Sequence, residues 1–439
     1  MALVFFLFFA AAAQNAHLSQ GIQSLQQGHF QEAIQELTQA VQQEPQSYQG
    51  YFNLGLAYAQ LGAPDKAELA FRKAVELNGS SAAARYNLGL ALLQEGKSSQ
   101  GIRELDAAVK LAPNNAEIEY NLGTALLESD NAKDALPHLE AAAAGTAQPE
   151  AVAQLARAQL ACGQPAAALR SLDRLPAEVG RSSQALFLRA QVYAAGQNWA
   201  KALDAIEDAR KQDTPHAEYL LFEARVYQKL GKPEEALPLL KTAAELDPKS
   251  GEIPYSIAFS DYVLDRHDDA ERELTRAIRN DPSMDRAYFL LSIDKLTTGD
   301  LAAGNAALAK ALTLRPKNPF YLCIYGMTLE QDNKKAEAAA IFRQVIALSP
   351  AYALPHYHLG TILASNGRND EAAAQFERAV QIEPEMSEAW YHLAQADKAL
   401  GKTGEAAKAL GHFQSLKRTE QDERQQMIRS MQESLGIRK

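Results

Sequence analysis

Three asparagines recur at one spacing: Asn53, Asn87 and Asn121 stand 34 residues apart. A carboxamide both donates and accepts, so equivalent amides in a row can pair with the main chain of an extended peptide whatever its side chains. Each follows an aromatic residue, Phe52, Tyr86 or Tyr120, and Gln154 continues the amide series. Two histidines, His358 and His392, share the same 34-residue interval, with His356 nearby. A metal would need a third convergent ligand. His356, two positions from His358, points elsewhere on a helix. These histidines are therefore read as polar residues, and no metal or cofactor is expected. The sequence contains no HExxH, no phosphate-loop lysine motif, no dinucleotide-type glycine fingerprint and no nucleophile-elbow serine. An enzyme would have to assemble its site from repeated residues, so the chain is read as non-enzymatic.

The elements that position these residues follow from a period. Stepping from Ala33 gives Ala67, Gly101, Ala135, Ala168, Ala202, Ala236, Ala270, Gly304, Ala338, Ala372 and Ala406, every one small. Twelve residues earlier in each unit stand Gly21, Gly55, Gly89, Gly123, Ala156, Ala190, Ala224, Ala258, Ser292, Gly326, Gly360 and Ala394. Two helices approach closely only where neither side chain intrudes. A third series, four residues after the first, is large and apolar: Leu37, Phe71, Leu105, Leu139, Leu172, Ile206, Leu240, Leu274, Leu308, Phe342, Phe376 and Leu410. That offset puts large and small residues on one helical face. Pro45, Pro113, Pro248, Pro282, Pro316, Pro350 and Pro384 share one phase and predict helix ends. Gly28, Gly62, Gly96, Gly163, Gly231, Gly299, Gly367 and Gly401 predict left-handed caps inside each hairpin.

The segment Tyr51-Phe52-Asn53-Leu54-Gly55-Leu56-Ala57-Tyr58, followed by Ala67, Phe71 and Ala74, closely resembles the tetratricopeptide-repeat signature. The resemblance covers roughly residues 14–418. It implies an all-α solenoid, a right-handed superhelix of about twelve helix-turn-helix repeats. Repeats 1–4 are expected at 14–148, a degenerate repeat 5 at 149–182, repeats 6–12 at 183–418, and a capping helix and tail at 419–439. The 33-residue step before Ala168, the breakers Pro176 and Gly180, and Arg189 in place of a leucine predict irregularity around repeat 5. Either the solenoid bends there or two units are degenerate, and the prompt return of the phase favours degeneracy. Residues 413–435 place Leu416, Ile428, Met431 and Leu435 among charges, as a terminal cap would.

The resemblance also assigns inner-face positions to the first helix of each pair. Neighbouring helices stand ~8–10 Å apart, about three residues of extended chain. On that basis Asn53, Asn87, Asn121, Gln154, Phe52, Tyr86 and Tyr120 form one candidate peptide-binding surface, with the alternative that they are consensus residues only. A second candidate patch, on repeats 8–10, holds Tyr255, Phe259, Tyr262, Phe289, Ile293, Leu296 and Met327. It either takes an apolar partner helix or is closed by curvature. The carboxylate-clamp version of the family uses groove lysines and arginines, and repeats 2–4 lack them, which disfavours a chaperone-tail adaptor.

Composition fits this reading. At 439 residues one compact core is too small a solution, and 47% hydrophobic residues with only 8% aromatics suit alanine-rich helices packed on helices. A formal charge of −10 disfavours nucleic acid as partner. Residues 2–13 (ALVFFLFFAAAA) are too short to span a membrane and end in a small-residue boundary before Gln14. They predict a signal peptide over residues 1–13, though no basic residue precedes the run, and a short uncleaved anchor is the alternative. No cysteine follows it, so a lipoprotein is not expected. Asn78-Gly79-Ser80 is a glycosylation sequon that matters only in a eukaryotic secretory setting. Cys162 and Cys323 fall five repeats apart, too far for a disulfide, and are expected to be free. The chain is thus expected to be an exported, periplasmic or extracellular monomeric scaffold that holds a protein or peptide and serves envelope assembly or secretion. The alternative is a cytosolic adaptor in a regulatory complex.

Overall fold

The computed structural model describes residues 16–145, 148–212 and 216–434; the apolar run at 2–13, Leu435 and the tail lie outside them. Among the described residues there are twenty-five helices and no strand. Contacts divide the chain into two units, one ending at Leu230 and one beginning at Gly231.

In the first unit, repeat 1 pairs Ala16–Gln26 with Phe30–Gln43, and repeat 2 pairs Tyr48–Gln60 with Pro64–Leu77. Repeat 3 pairs Ala82–Gln94 with Ser98–Leu111, and repeat 4 pairs Ala116–Glu128 with Ala132–Gly145. Repeat 5 holds Pro149–Ala161 and a short Pro165–Leu172, and repeat 6 pairs Ser183–Ala195 with Trp199–Gln212. The helix Ala217–Lys229 completes this unit. The second unit starts with Pro233–Leu246 and continues with Glu252–Val263 and His267–Asn280 as repeat 8. Repeat 9 is Asp285–Thr297 with Leu301–Leu314, repeat 10 is Pro319–Gln331 with Lys335–Leu348, and repeat 11 is Ala353–Ser365 with Asn369–Ile382. Repeat 12 pairs Ser387–Ala399 with the long helix Thr403–Ser434.

Local chemistry sets these boundaries. Ser47, Ser81, Asn115, Ser182 and Asn318 each accept a hydrogen bond from an amide of the first turn that follows, which satisfies donors a helix start leaves open. The seven prolines of one phase stand two residues beyond the ends of their helices, as Pro384 does beyond Ile382. All eight predicted turn glycines have φ between 71° and 88°. The equivalent position in the remaining repeats is Asp130, Gln197, Asp265 or Asn333, with φ of 56–59°.

Each hairpin closes on its small–large pair. A Cβ built on Gly55 would lie 2.6 Å from the Phe71 ring, and one on Gly360 would lie 2.7 Å from the Phe376 ring. The three phenylalanines of the large series, Phe71, Phe342 and Phe376, all face glycine. In repeats 1–6 and 8–11 the second helix packs between its own first helix and that of the next repeat. Large residues held this way are 0–1% exposed from Leu37 to Phe376, whereas Leu410 is 40% exposed.

Two places differ from the repeat. In repeat 5 the second helix stops at Leu172 after 8 residues, where its neighbours have 14. Pro176 then leads into the one-turn helix Ala177–Gly180. Arg189, at a leucine position, reaches 2.7 Å to Asp173 just past the shortened helix. At the other place, the expected break between last repeat and capping helix at 418/419 is not present. One helix runs through to Ser434 because no glycine or proline lies between 412 and 434.

The turn positions supply a direct test. Nothing lies within 4 Å of a Cβ on Gly62, so Gly62→Ala meets only the backbone penalty of the left-handed region, about 1 kcal/mol. Gln197→Gly relieves the same penalty and is expected to raise stability by up to about 1 kcal/mol. Urea midpoints that move in opposite directions for the two variants are the expected result; a shared direction would refute the backbone account.

Candidate peptide-binding surfaces

The asparagine series is positioned by the first helices of repeats 2–4, but it is turned into their packing. Asn53 is 7%, Asn87 0% and Asn121 9% exposed. Asn53 donates to the Gln49 carbonyl at 2.8 Å and Asn87 to the Ala83 carbonyl at 2.8 Å, each one turn back on its own helix. Asn121 donates to the Glu117 carbonyl at 2.9 Å and to the Tyr86 hydroxyl at 3.0 Å. That hydroxyl in turn donates to the Glu117 carboxylate at 2.9 Å. Burial, and then the adjacent Glu117, push the Tyr86 phenol up. Burial also raises the Glu117 carboxyl. Phe52, 4% exposed, packs on Phe71 at 5.9 Å between ring centres and stacks on Tyr48. An extended peptide cannot reach a fully enclosed Asn87. Of the three asparagines, Asn121 alone bonds to a neighbouring repeat, through Tyr86, and the series does not display an open amide ladder.

Tyr120 and Gln154 are brought together elsewhere. Both line a hollow of about 420 Å³ with Glu150, Arg157, Leu175 and Gln184. Its outer wall also includes Val179 and Ser182, residues placed by the shortened helix of repeat 5. The breakers Pro176 and Gly180 were legible in the sequence, but that their neighbours Leu175, Val179 and Ser182 line a hollow was not.

In the second unit, Ile293, Leu296 and Met327 converge. With Ile324 they form the apolar side of a hollow of about 480 Å³ rimmed by Thr297, Thr328, Glu330, Gln331 and His358. The side chains come from the first helices of repeats 9, 10 and 11. Phe259 is 36% exposed on repeat 8, and Val263, one turn on, is more exposed still. Tyr262 is half-buried beside His267, at 6.3 Å between ring centres. Tyr255 and Phe289 belong to the packing between repeats: Tyr255 lies under Arg286 at 4.7 Å, and Phe289 stacks on Tyr321 at 4.4 Å.

The acidic rim is ordered. His358 Nδ1 lies 2.7 Å from Glu330 Oε2, while the Thr361 hydroxyl, 3.2 Å from Oε1, has its shorter contact of 2.7 Å with the His358 carbonyl. A carboxylate only accepts, so Nδ1 carries the proton and the imidazole holds Glu330 in place. The ring of His358 stacks on Phe342 at 5.2 Å. His392 stacks on Phe376 at 5.6 Å, and burial lowers its pKa. His356, on the opposite face, is 6% exposed with Nδ1 2.8 Å from Gln375. Among the described residues no three His, Cys, Asp or Glu side chains come together as metal ligands. Cys162 and Cys323 are free thiols, and burial raises that of Cys323.

Single alanine replacements distinguish a structural from a displayed asparagine. Asn121→Ala is expected to cost about 1–3 kcal/mol, because two hydrogen bonds are lost at about 0.5–1.5 kcal/mol each. Asn87→Ala should cost less, since the Asn87 Oδ1 is already buried without a partner. Urea unfolding of both variants measures this, and an Asn121→Ala variant as stable as the parent would remove the packing role.

Comparison with known proteins agrees with the architecture. Residues 18–82, 86–151, 154–217 and 289–353 match one description of the tetratricopeptide repeat, and residues 227–292 and 363–430 match a second. The human Protein O-mannosyl-transferase TMTC1 is 27% identical over 201 residues, 44% of this chain and 20% of that protein. The chain therefore spans about a fifth of that relative's length. Among solved structures, yeast Tom70 is similar with a TM-score of 0.46 at 17% identity, over 96% of this chain and 95% of that one. Pseudomonas aeruginosa pilF is similar with a TM-score of 0.39 at 22% identity, over 47% and 94%. With matches along nearly its whole described length, the chain belongs to the tetratricopeptide-repeat family.

Proposed function

We propose that this chain is a non-catalytic protein-interaction scaffold whose working surface is the hollow of repeats 9–11. The observation that carries the proposal is the juxtaposition there of Ile293, Leu296, Ile324 and Met327 with the held carboxylate of Glu330. An apolar wall beside a fixed negative charge suits a partner segment that offers an apolar side chain with a lysine or arginine close by. The exposed Phe259 and Val263 on repeat 8 extend the apolar strip toward a longer segment. The transferase activity named for the human relative is not carried over, because the match covers a fifth of that protein.

Panning a phage-displayed random peptide library against the chain tests this reading. Enriched sequences should combine an apolar residue with a nearby basic one. Met327→Glu should weaken a selected peptide at least about tenfold, the scale expected when a desolvated contact is lost. A folded Met327→Glu chain that keeps full affinity would overturn the assignment.

Export to a periplasmic or extracellular site, in service of envelope assembly or secretion, is part of the same proposal. Its support is the sequence of residues 2–13 with the Ala11-Ala12-Ala13 boundary before Gln14. Fusing residues 1–20 to a reporter that works only outside the cytoplasm should yield active, cleaved reporter. An intact reporter left inside would favour the cytosolic adaptor, and a full-length membrane-bound reporter would make the segment an anchor.

A further inference from the structure

The hollow that brings Tyr120 and Gln154 together carries a charge of each sign. Its floor is one face of the helix Pro149–Ala161, where Glu150, Ala153, Gln154 and Arg157 all line the hollow, as residues one and two turns apart do. Glu150 and Arg157 are both exposed. They stand about 10.5 Å apart along the axis at ~1.5 Å per residue. Opposite charges therefore mark the two ends of the floor, and the small Ala153 between them leaves room. Arg157 is loosely engaged, 3.4 Å from Gln154 Oε1, so its guanidinium keeps donors for a ligand.

An apolar wall stands beside this floor. Leu175 and the 37%-exposed Val179 come from the chain that follows the shortened helix of repeat 5, and Leu188 comes from the first helix of repeat 6. The wall is fastened at both ends. Arg174 donates to the Ala143 carbonyl at 2.8 Å. The Ser182 hydroxyl donates to the Val179 carbonyl at 2.7 Å and accepts from the Ala185 amide at 3.3 Å. Contacts held in place before a ligand arrives lower the ordering cost of binding.

We propose that this hollow is a second binding site, for an extended peptide segment with a basic, an apolar and an acidic residue at alternate positions. Alternate side chains of an extended chain point to one side. The first and last of the three lie about 13 Å apart at ~3.3 Å per residue, and flexible Lys and Glu side chains close the difference from the spacing of the floor. The basic residue meets Glu150, the acidic one meets Arg157, and the apolar one rests on Leu175, Val179 and Leu188. Tyr120 and Gln184 line the same hollow and supply a hydroxyl and a carboxamide for the peptide main chain. Nothing in this assignment rests on the hollow of repeats 9–11, which has a carboxylate at its rim and suits a basic partner.

Calorimetric titration with synthetic peptides, up to millimolar concentration, tests it on the full chain carrying Met327→Glu, so that the hollow of repeats 9–11 does not contribute. The probes are Lys-Ser-Leu-Ser-Glu, Lys-Ser-Leu-Ser-Lys and Glu-Ser-Leu-Ser-Glu, with blocked ends. The mixed-charge peptide should bind at least about tenfold more tightly than either like-charged one. Glu150→Lys should transfer the preference to Glu-Ser-Leu-Ser-Glu, and Arg157→Glu should transfer it to Lys-Ser-Leu-Ser-Lys, both with unchanged helical circular dichroism. Val179→Asp should weaken the mixed-charge peptide without changing the fold. No measurable binding of the mixed-charge peptide, equal affinity for all three, or a preference that the two charge reversals leave in place overturns the proposal.

Discussion

Everything in this chain depends on how closely the two helices of a hairpin approach. At Gly360 a single added carbon would stand 2.7 Å from the Phe376 ring, nearer than packed atoms tolerate. Where the facing residue is aromatic, the small partner is glycine; where it is leucine or isoleucine, alanine or serine is also accepted, as at Ala156 and Leu172 or Ser292 and Leu308. Once that spacing is set, the turn is forced into the left-handed region and the next hairpin begins at a fixed interval. The period, the caps and the proline stops are consequences of one contact repeated.

Because the contact lies inside each hairpin, the inner faces are free to differ, and they do. Between repeats 3 and 4 they are joined by a polar network that runs from Asn121 through Tyr86 to Glu117. In repeats 9–11 they stay open and apolar, with a carboxylate held at the rim by His358. One scaffold thus supports a closed surface and a receptive one, and the difference is made by a few side chains whose backbone positions are equivalent.

Local steric rules were fully legible in the amino-acid order. The left-handed glycines, the small–large pairs and the helix ends each depend on neighbours within one repeat, so their phase alone identifies them. Exposure was not legible. Asn87 and Phe52 look like surface residues by position, but their accessibility is decided by side chains of adjoining helices. Leu410 shows the same limit in reverse: it has the phase of eleven buried counterparts, yet it is 40% exposed. The Glu330–His358 contact links residues 28 apart, and no spacing rule singles out that pair from other acid–histidine combinations.

The shortened second helix of repeat 5 has a consequence for how the chain folds and comes apart. In a solenoid each repeat is held by itself and its two neighbours, so structure nucleates at many places and spreads along the chain. Spreading gains free energy in proportion to the interface added at each step. Pro165–Leu172 offers 8 residues to its neighbours where Ala132–Gly145 offers 14. It is the weakest link in the nearest-neighbour chain of the first unit. Folding fronts that start on either side meet there last, and the segment 173–182 is the first to open to a protease.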